Sequence, residues 1–198
     1  MQLRHVKRKD VDELFHLFQS VAVKQVDLSR TSVPKSGFYE YTLSFEEFSQ
    51  RAASPRTLVI EGGGRIVAYM ISYSLDFARS FDNFQDPVLM RLGNLDGSVT
   101  YHDQLYLEQG MPHHLASRLL ASRLFYKMDT IAEGEKAPGV ITAVPLAPWK
   151  NESSTKLVGY QGFKLTGQVQ EPELTLALFT KPFLRLDTPF EDLEKRLI

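Results

Sequence analysis

Cysteine is absent from this chain of 198 residues. That removes disulfides, thiolate nucleophiles, CxxC redox chemistry and thiolate-held zinc together, and it favours a reducing compartment. Charge of one sign is also missing: 23 Lys and Arg stand against 24 Asp and Glu, a formal net charge of −1. No long-range field gathers nucleic acid or an anionic membrane, so neither is expected as a partner. The short basic run at residues 7–9 is answered at once by Asp10, Asp12 and Glu13. No apolar run is long enough to span a bilayer, and the amino-terminal residues do not resemble a signal peptide. A cytoplasmic protein is the expectation.

What is present is apolar and aromatic. With 43% hydrophobic residues and 13 Phe the chain can bury one substantial core, so one domain over 1–198 is expected. Residues 3–6 predict a first strand. Asp10 and Glu13 have the spacing of a capping box, and Val11, Leu14, Phe15, Phe18, Val21 and Ala22 form the apolar face of a helix over about 10–23. Residues 24–43 hold no clear period and form a long connection. Ser44 and Glu47 repeat the capping spacing before a second helix limited by Pro55. Two strands, 57–61 and 65–74, flank Gly62, Gly63 and Gly64, which suit a tight hairpin turn. These glycines lack the spacing and the lysine of a phosphate loop.

Residues 77–99 form a second long connection, with Phe77, Phe81 and Phe84 among polar residues. Two readings stay open: a satellite core over the sheet, or an aromatic wall around an acceptor pocket. The chain is organised around 101–133. Tyr101, Leu105, Tyr106 and Leu107 suggest a strand; Gly110 and Pro112 break it; a stripe of Leu115, Ala116, Leu119, Leu120, Leu124, Met128, Ile131 and Ala132 predicts a long helix. The first amides of a helix that follows a strand in this way form a ready anion site. Residues 139–144, 163–169 and 174–181 are further strands, with a short helix between the first two. Residues 182–198 are a C-terminal extension with a helical turn or two. The five histidines show no metal-ligand spacing with carboxylates, and no metal is expected.

The order of these elements resembles the GNAT superfamily of N-acetyltransferases from about residue 3 to residue 181. A second match is more specific: Asn151, Ser154, Leu157 and the pair Gly162–Phe163 repeat a spacing that the family often carries. Each type has a physical task there. Asn caps a helix or pins a strand end, a small residue permits close approach, and Gly-Phe turns the chain and anchors it. The resemblance implies an α/β (α+β) fold with a central mixed, mostly antiparallel sheet of six to seven strands, splayed between the fourth and fifth, and helices on both faces. It implies acetyl-CoA, or another acyl-CoA, as cosubstrate. The pyrophosphate would lie on Tyr106, Leu107, Glu108, Gln109, Met111, His113, His114, Leu115, Ala116 and Arg118, with Asn151 and Ser154 beside the arm of the cofactor.

The chain also departs from the family pattern. Aligned on the long helix, Ala116 matches the last position of the phosphate loop, but His114 stands where a glycine belongs and Met111 where Gln or Arg belongs. The tyrosine that usually protonates the departing thiolate is replaced by Val158. Tyr160 lies two residues further on, about 200° around a continuing helix, and serves as the candidate acid only if the helix ends before it. Asp103 and His102 are candidates to take a proton from the attacking amine. They point to opposite faces of the strand, and period-two alternation puts Asp103 with Leu105 and Leu107.

The leading functional expectation is acyl transfer from acyl-CoA to a small-molecule amine by direct attack. A covalent thioester on the protein is excluded by the absence of cysteine. The rivals are a catalytically weak GNAT-fold binding protein, which Met111, His114 and Val158 favour, and an unrelated α/β domain. A homodimer is left open.

Overall fold

The computed structural model describes residues 1–23, 38–39, 43–81, 87–92, 95–108, 114–147, 151–170 and 175–183; for 21–23, 38–39, 87, 114–117 and 147 it describes the backbone only. The elements run in the order β1 (Gln2–His5), a 3-10 turn (Arg8–Asp10), α1 (Val11–Val21), β2 (Ala22–Val23), β3 (Phe38–Tyr39), α2 (Phe45–Ala52), β4 (Leu58–Gly62) and β5 (Arg65–Ser74). They continue with α3 (Leu75–Ala78), α4 (Pro87–Leu92), β6 (Thr100–Leu107), α5 (His114–Gly134), β7 (Gly139–Ala147), α6 (Glu152–Tyr160), β8 (Lys164–Gln170) and β9 (Thr175–Pro182).

Seven strands form one sheet in the order β1-β4-β5-β6-β7-β9-β8, while β2 and β3 pair separately and in parallel. Every neighbour in the large sheet is antiparallel except β6 with β7, the fourth and fifth strands of that sheet. This is the mixed, mostly antiparallel arrangement expected. Helices cover both faces. Leu14 and Phe18 of α1, Phe48 and Ala52 of α2, and the residues after β5 pack on Val59, Tyr69, Ile71 and Tyr73. On the other face Leu120, Ala121, Leu124, Phe125, Met128 and Ala132 of α5 pack on Leu58, Ile60, Ala68, Met70 and Val140.

The local chemistry explains the boundaries. Gly63 and Gly64 take φ of 61° and 77°, the left-handed pair a two-residue hairpin between Gly62 and Arg65 requires. Ser44 Oγ accepts from the Glu47 amide at 3.2 Å, and Glu47 Oε2 accepts from the Ser44 amide at 2.8 Å, so the capping box before α2 forms. The box proposed from Asp10 and Glu13 does not. Arg4 draws the Asp10 carboxylate at 2.6 Å, and that carboxylate accepts from the Lys7 amide at 2.7 Å; Glu13 instead accepts from the Ile66 amide at 2.8 Å and ties α1 to β5. A tertiary donor outcompetes the local one.

The stripe on α5 is also rotated slightly from the one predicted. Leu119 is 57% exposed, whereas Ala121 and Phe125 are buried. In the connection after β5, Phe77 and Phe81 pack edge-to-face at 5.6 Å, and Phe81 sits edge-on to Tyr73 at 5.2 Å, which is the satellite-core reading. Phe84, Glu171, Pro172 and the helical turns proposed for 189–198 lie outside the described residues, as do residues 24–37 and 40–42 of the first long connection. Among the described residues no helix is long and apolar enough to cross a membrane, and no group of His, Asp and Glu could hold a metal ion.

Candidate active site

Parallel strands β6 and β7 pair over three residues only, Thr100 with Val140, Tyr101 with Ile141 and His102 with Thr142. Thr142 Oγ1 donates to the His102 carbonyl at 3.0 Å at the last paired position. Beyond it the two strands separate. The facing edges of Asp103–Leu107 and Ala143–Ala147 carry backbone groups with no ladder partner in the neighbouring strand. An extended ligand with its own amides can satisfy such edges.

The separation opens a cleft of about 1050 Å³, solvent at its mouth included. It passes through the sheet, because its lining comes from both faces: Phe18, Leu43, Arg51 and Val88 on one side, Phe125, Asn151, Ser154 and Leu157 on the other. Asp103, Gln104, Leu105 and Val144 form its strand walls.

A β-bulge decides which side chains of β6 face which way. Ser72 pairs with His102 and Ile71 with Gln104, so Asp103 is the extra residue. The bulge cancels one step of alternation. Asp103 and Gln104 therefore both lie on the α1/α2 side, with Tyr106 opposite Tyr69, while Leu105 and Leu107 turn to the α5 side with His102. The expected sharing of a face by Asp103, Leu105 and Leu107 is corrected here, and the separation of His102 from Asp103 stands.

Asp103 accepts from Arg51 Nη1 at 3.0 Å, with side-chain exposures of 10% and 8%. Arg51 also reaches the Tyr73 hydroxyl at 3.3 Å and lies over the Phe81 ring at 5.7 Å. The sequence held a signal for this: Arg51 falls on the same helical stripe as Phe48 and Ala52, where a cation needs a buried partner. On the opposite face, His102 Nδ1 lies 2.9 Å from Ser72 Oγ, and its Nε2 lies 4.0 Å from Asp129 Oδ1. Lys181 Nζ holds the other Asp129 oxygen at 2.6 Å. Burial, then Lys181 and Arg56, push the His102 imidazole down to about 3. Burial raises the Asp129 carboxyl despite Lys181. None of this second network was anticipated, since its members are far apart in sequence.

The Asn-small-apolar-Gly-Phe spacing works as a unit. Asn151 Oδ1 caps α6 by accepting from the Ser154 amide at 3.0 Å, and its backbone N–H donates to the Pro145 carbonyl at 3.0 Å, pinning α6 to β7. Leu157 and Val158 point into the cleft, Gly162 takes φ of 85°, and Phe163 is buried. Asn151→Ala is expected to cost about 1 kcal/mol by loss of the cap, read as a lower urea midpoint with an unchanged m-value.

Other proposed site residues are distributed differently. Tyr106 is buried and stacked on Tyr69 at 5.3 Å, outside the cleft lining. Glu108 pairs with Arg65 at 2.7 Å. Tyr160 is the last residue of α6, 70% exposed, with Arg118 over its ring at 5.2 Å, so the helix carries it to the outer side rather than toward the cleft. Gln109, Met111 and His113, with Gly110 and Pro112, lie outside the described residues; for His114, Leu115 and Ala116 only the helical backbone is described.

A splayed parallel pair in an otherwise antiparallel sheet, followed by a long helix from the first splayed strand, is the arrangement that the resemblance above implies. The chain has the GNAT fold, and a GNAT-family acetyltransferase is among the solved structures it matches. The ribosomal-protein-alanine N-acetyltransferase of Brucella melitensis is similar at a TM-score of 0.57 and 18% identity, over 92% of this chain and 100% of that one. yncA of Salmonella typhimurium, described as an acetyltransferase and solved with its cofactor acetyl-CoA, is similar at 0.58 and 16%, over 95% and 96%. An agmatine N-acetyltransferase is similar at 0.60 and 12%, over 92% and 99%. No family model matches the chain, and no curated protein matches it.

Proposed function

We propose that this chain, acting as one domain, transfers an acetyl or short acyl group from acyl-CoA to the amine of a small molecule. The observation that carries the reading is the separation of β6 from β7 after His102 and Thr142, which leaves the two strand edges unpaired with each other and gives an acyl-CoA arm a way through the sheet. The thioester supplies an acyl carbon bonded to a good leaving group. The chain's part is positioning and charge control. Amides on the open edge of β6 polarise the acyl carbonyl, and the first amides of α5 face phosphate. Asp103, held by Arg51, receives the proton that the ammonium must lose, directly or through a water. The nitrogen then bonds to the acyl carbon and the carbon–sulfur bond breaks. The departing CoA thiolate takes the second proton of that nitrogen, so the products are the amide and free CoA thiol. A small amine is favoured by a cleft with apolar walls and by the near-zero net charge.

A second reading has its own support. Val158 is buried in the cleft lining at the position of the family's usual acid, which favours an acyl-CoA-binding protein with weak chemistry. Calorimetric titration with acetyl-CoA and with CoA tests both. Micromolar binding, about −8 kcal/mol, followed by amine-dependent thiol release supports transfer, and binding without thiol release from any amine supports the second reading. No heat from either ligand up to roughly millimolar concentration removes both.

A further inference from the structure

Five buried polar atoms among the described residues have no hydrogen-bond partner: Thr57 Oγ1, Tyr69 Oη, His102 Nε2, Gln104 Oε1 and Asp129 Oδ1. Each such atom costs on the order of 1–3 kcal/mol unless something satisfies it. His102 Nε2 and Asp129 Oδ1 face one another at 4.0 Å, a gap one water can bridge. Of the five residues His102 and Gln104 line the cleft, but His102 Nε2 faces Asp129 on the α5 side, whereas Gln104 lies on the other face. Gln104 is 8% exposed, and the bulge at Asp103 turns it to the same face as the Arg51–Asp103 pair. Tyr69, one cross-strand position away on that face, is fully buried, and burial and the Asp103 charge push its phenol well up, so its hydroxyl keeps its proton.

We propose that Gln104 is the residue that positions the acceptor, its amide oxygen accepting a hydrogen bond from an N–H of a primary amine with an apolar body. The inference rests on the acyl-transfer reading and names the substrate class of that same site. The oxygen needs a donor, and among the described residues no group supplies one. The amine group of an acceptor is a donor that need be present only when the cleft is filled. Phe18, Leu43, Val88 and Leu176 wall this end of the cleft, and the charge of Asp103 is already answered by Arg51. An amine carrying an aryl or alkyl body suits these walls. A carbonyl held at the amine nitrogen also fixes where its lone pair points, which is a matter of orientation rather than of proton transfer.

The test uses the full chain saturated with CoA and two probes: benzylamine, and N,N,N-trimethylbenzylammonium, which keeps the aryl body and a positive charge but has no N–H. The side-chain amide signal of Gln104 in the NMR spectrum, assigned by its disappearance in Gln104→Leu, is followed through each titration. Benzylamine is expected to move that signal saturably and the trimethyl compound to leave it in place. Gln104→Leu should weaken benzylamine about tenfold, the worth of one hydrogen bond, and leave acetyl-CoA affinity within about twofold. Since the variant removes an orphaned buried oxygen, its thermal midpoint should be unchanged or higher, and Gln104→Met should behave likewise. The proposal is overturned if benzylamine leaves the signal in place up to roughly 50 mM, if both probes move it alike, or if the Leu variant binds benzylamine as the parent does. It is also overturned if the variant loses acetyl-CoA affinity instead, which would make an amide of the acyl-CoA arm the partner of Gln104. Failure of acetyl-CoA to bind the parent protein would sink the acyl-transfer reading separately, and the same titrations on the free chain then decide the role of Gln104.

Discussion

Arg51→Met should lower the unfolding free energy by about 3–5 kcal/mol, because it takes the guanidinium away from the Asp103 carboxylate in a cleft wall where that group is 10% exposed. For a chain of this length each kcal/mol moves the thermal midpoint by roughly 2–4 °C, so a fall of about 10 °C is expected. The cost comes from removing the counter-charge of a buried carboxylate and is not the net worth of the pair. Replacing both partners, Arg51→Met with Asp103→Leu, should recover most of the loss, since two well-packed apolar side chains avoid the desolvation the ion pair must overcome. Urea unfolding of the two single variants and the double variant forms the cycle. A single variant within about 1 kcal/mol of the parent would mean that Asp103 is solvated through the cleft and that Arg51 is dispensable to it. The result also bears on catalysis, for an Asp103 free of Arg51 would lose the orientation required of a proton acceptor.

Acidification should destabilise the protein well before ordinary carboxylates titrate. The His102 imidazole ordinarily titrates near 6.5, and burial together with Lys181 and Arg56 pushes it down to about 3 in the fold. Between these values the unfolded chain binds the proton and the folded chain does not, so stability rises with pH through this window and is fully present above it. The slope is about 1.4 kcal/mol per pH unit, or about 3 kcal/mol lost from pH 6.5 to pH 4. Other groups act differently. The raised Asp129 carboxyl binds a proton more readily folded than unfolded, which opposes the trend toward its acidic end. Asp10, held down by Arg4, and Asp96, held down by Ser98, remove stability only as the pH falls below the usual aspartate range. His102→Gln keeps a polar group of similar reach and cannot titrate, so its stability should be nearly flat where that of the parent falls. Parallel curves for parent and variant would assign the acid sensitivity to another group.

These two networks mark where sequence reasoning stopped. Alternation and helical period located every strand of the large sheet, because burying one face of a strand or helix imposes a pattern over several consecutive residues. Ser44 with Glu47, the Gly63–Gly64 turn and the Asn151 to Phe163 unit were legible for the same reason: each is closed by partners within a dozen residues. The pair of Asp10 and Glu13 had the same local spacing and failed, since Arg4 and the Ile66 amide offered better partners across the fold. Leu119 was placed inside because period alone does not say which neighbours a helix will meet.

By itself, then, the sequence determined the strands of the large sheet, the helices α1, α2, α5 and α6, their order, the exclusion of thiol chemistry and the strand-and-helix pair around which the cleft is built. It did not determine β2, β3, α3 and α4, which are too short to carry a period. Only the tertiary structure decided what faces that cleft. One extra residue in β6 against β5 puts Asp103 and Gln104 side by side and sends Leu105 to the other face. The physical reason is that a side chain's direction on a strand depends on pairing register, a relation between residues about thirty apart. Burial works in the same way: Arg51 meets Asp103, and His102 meets Asp129 and Lys181, through packing across the fold that no local spacing reveals.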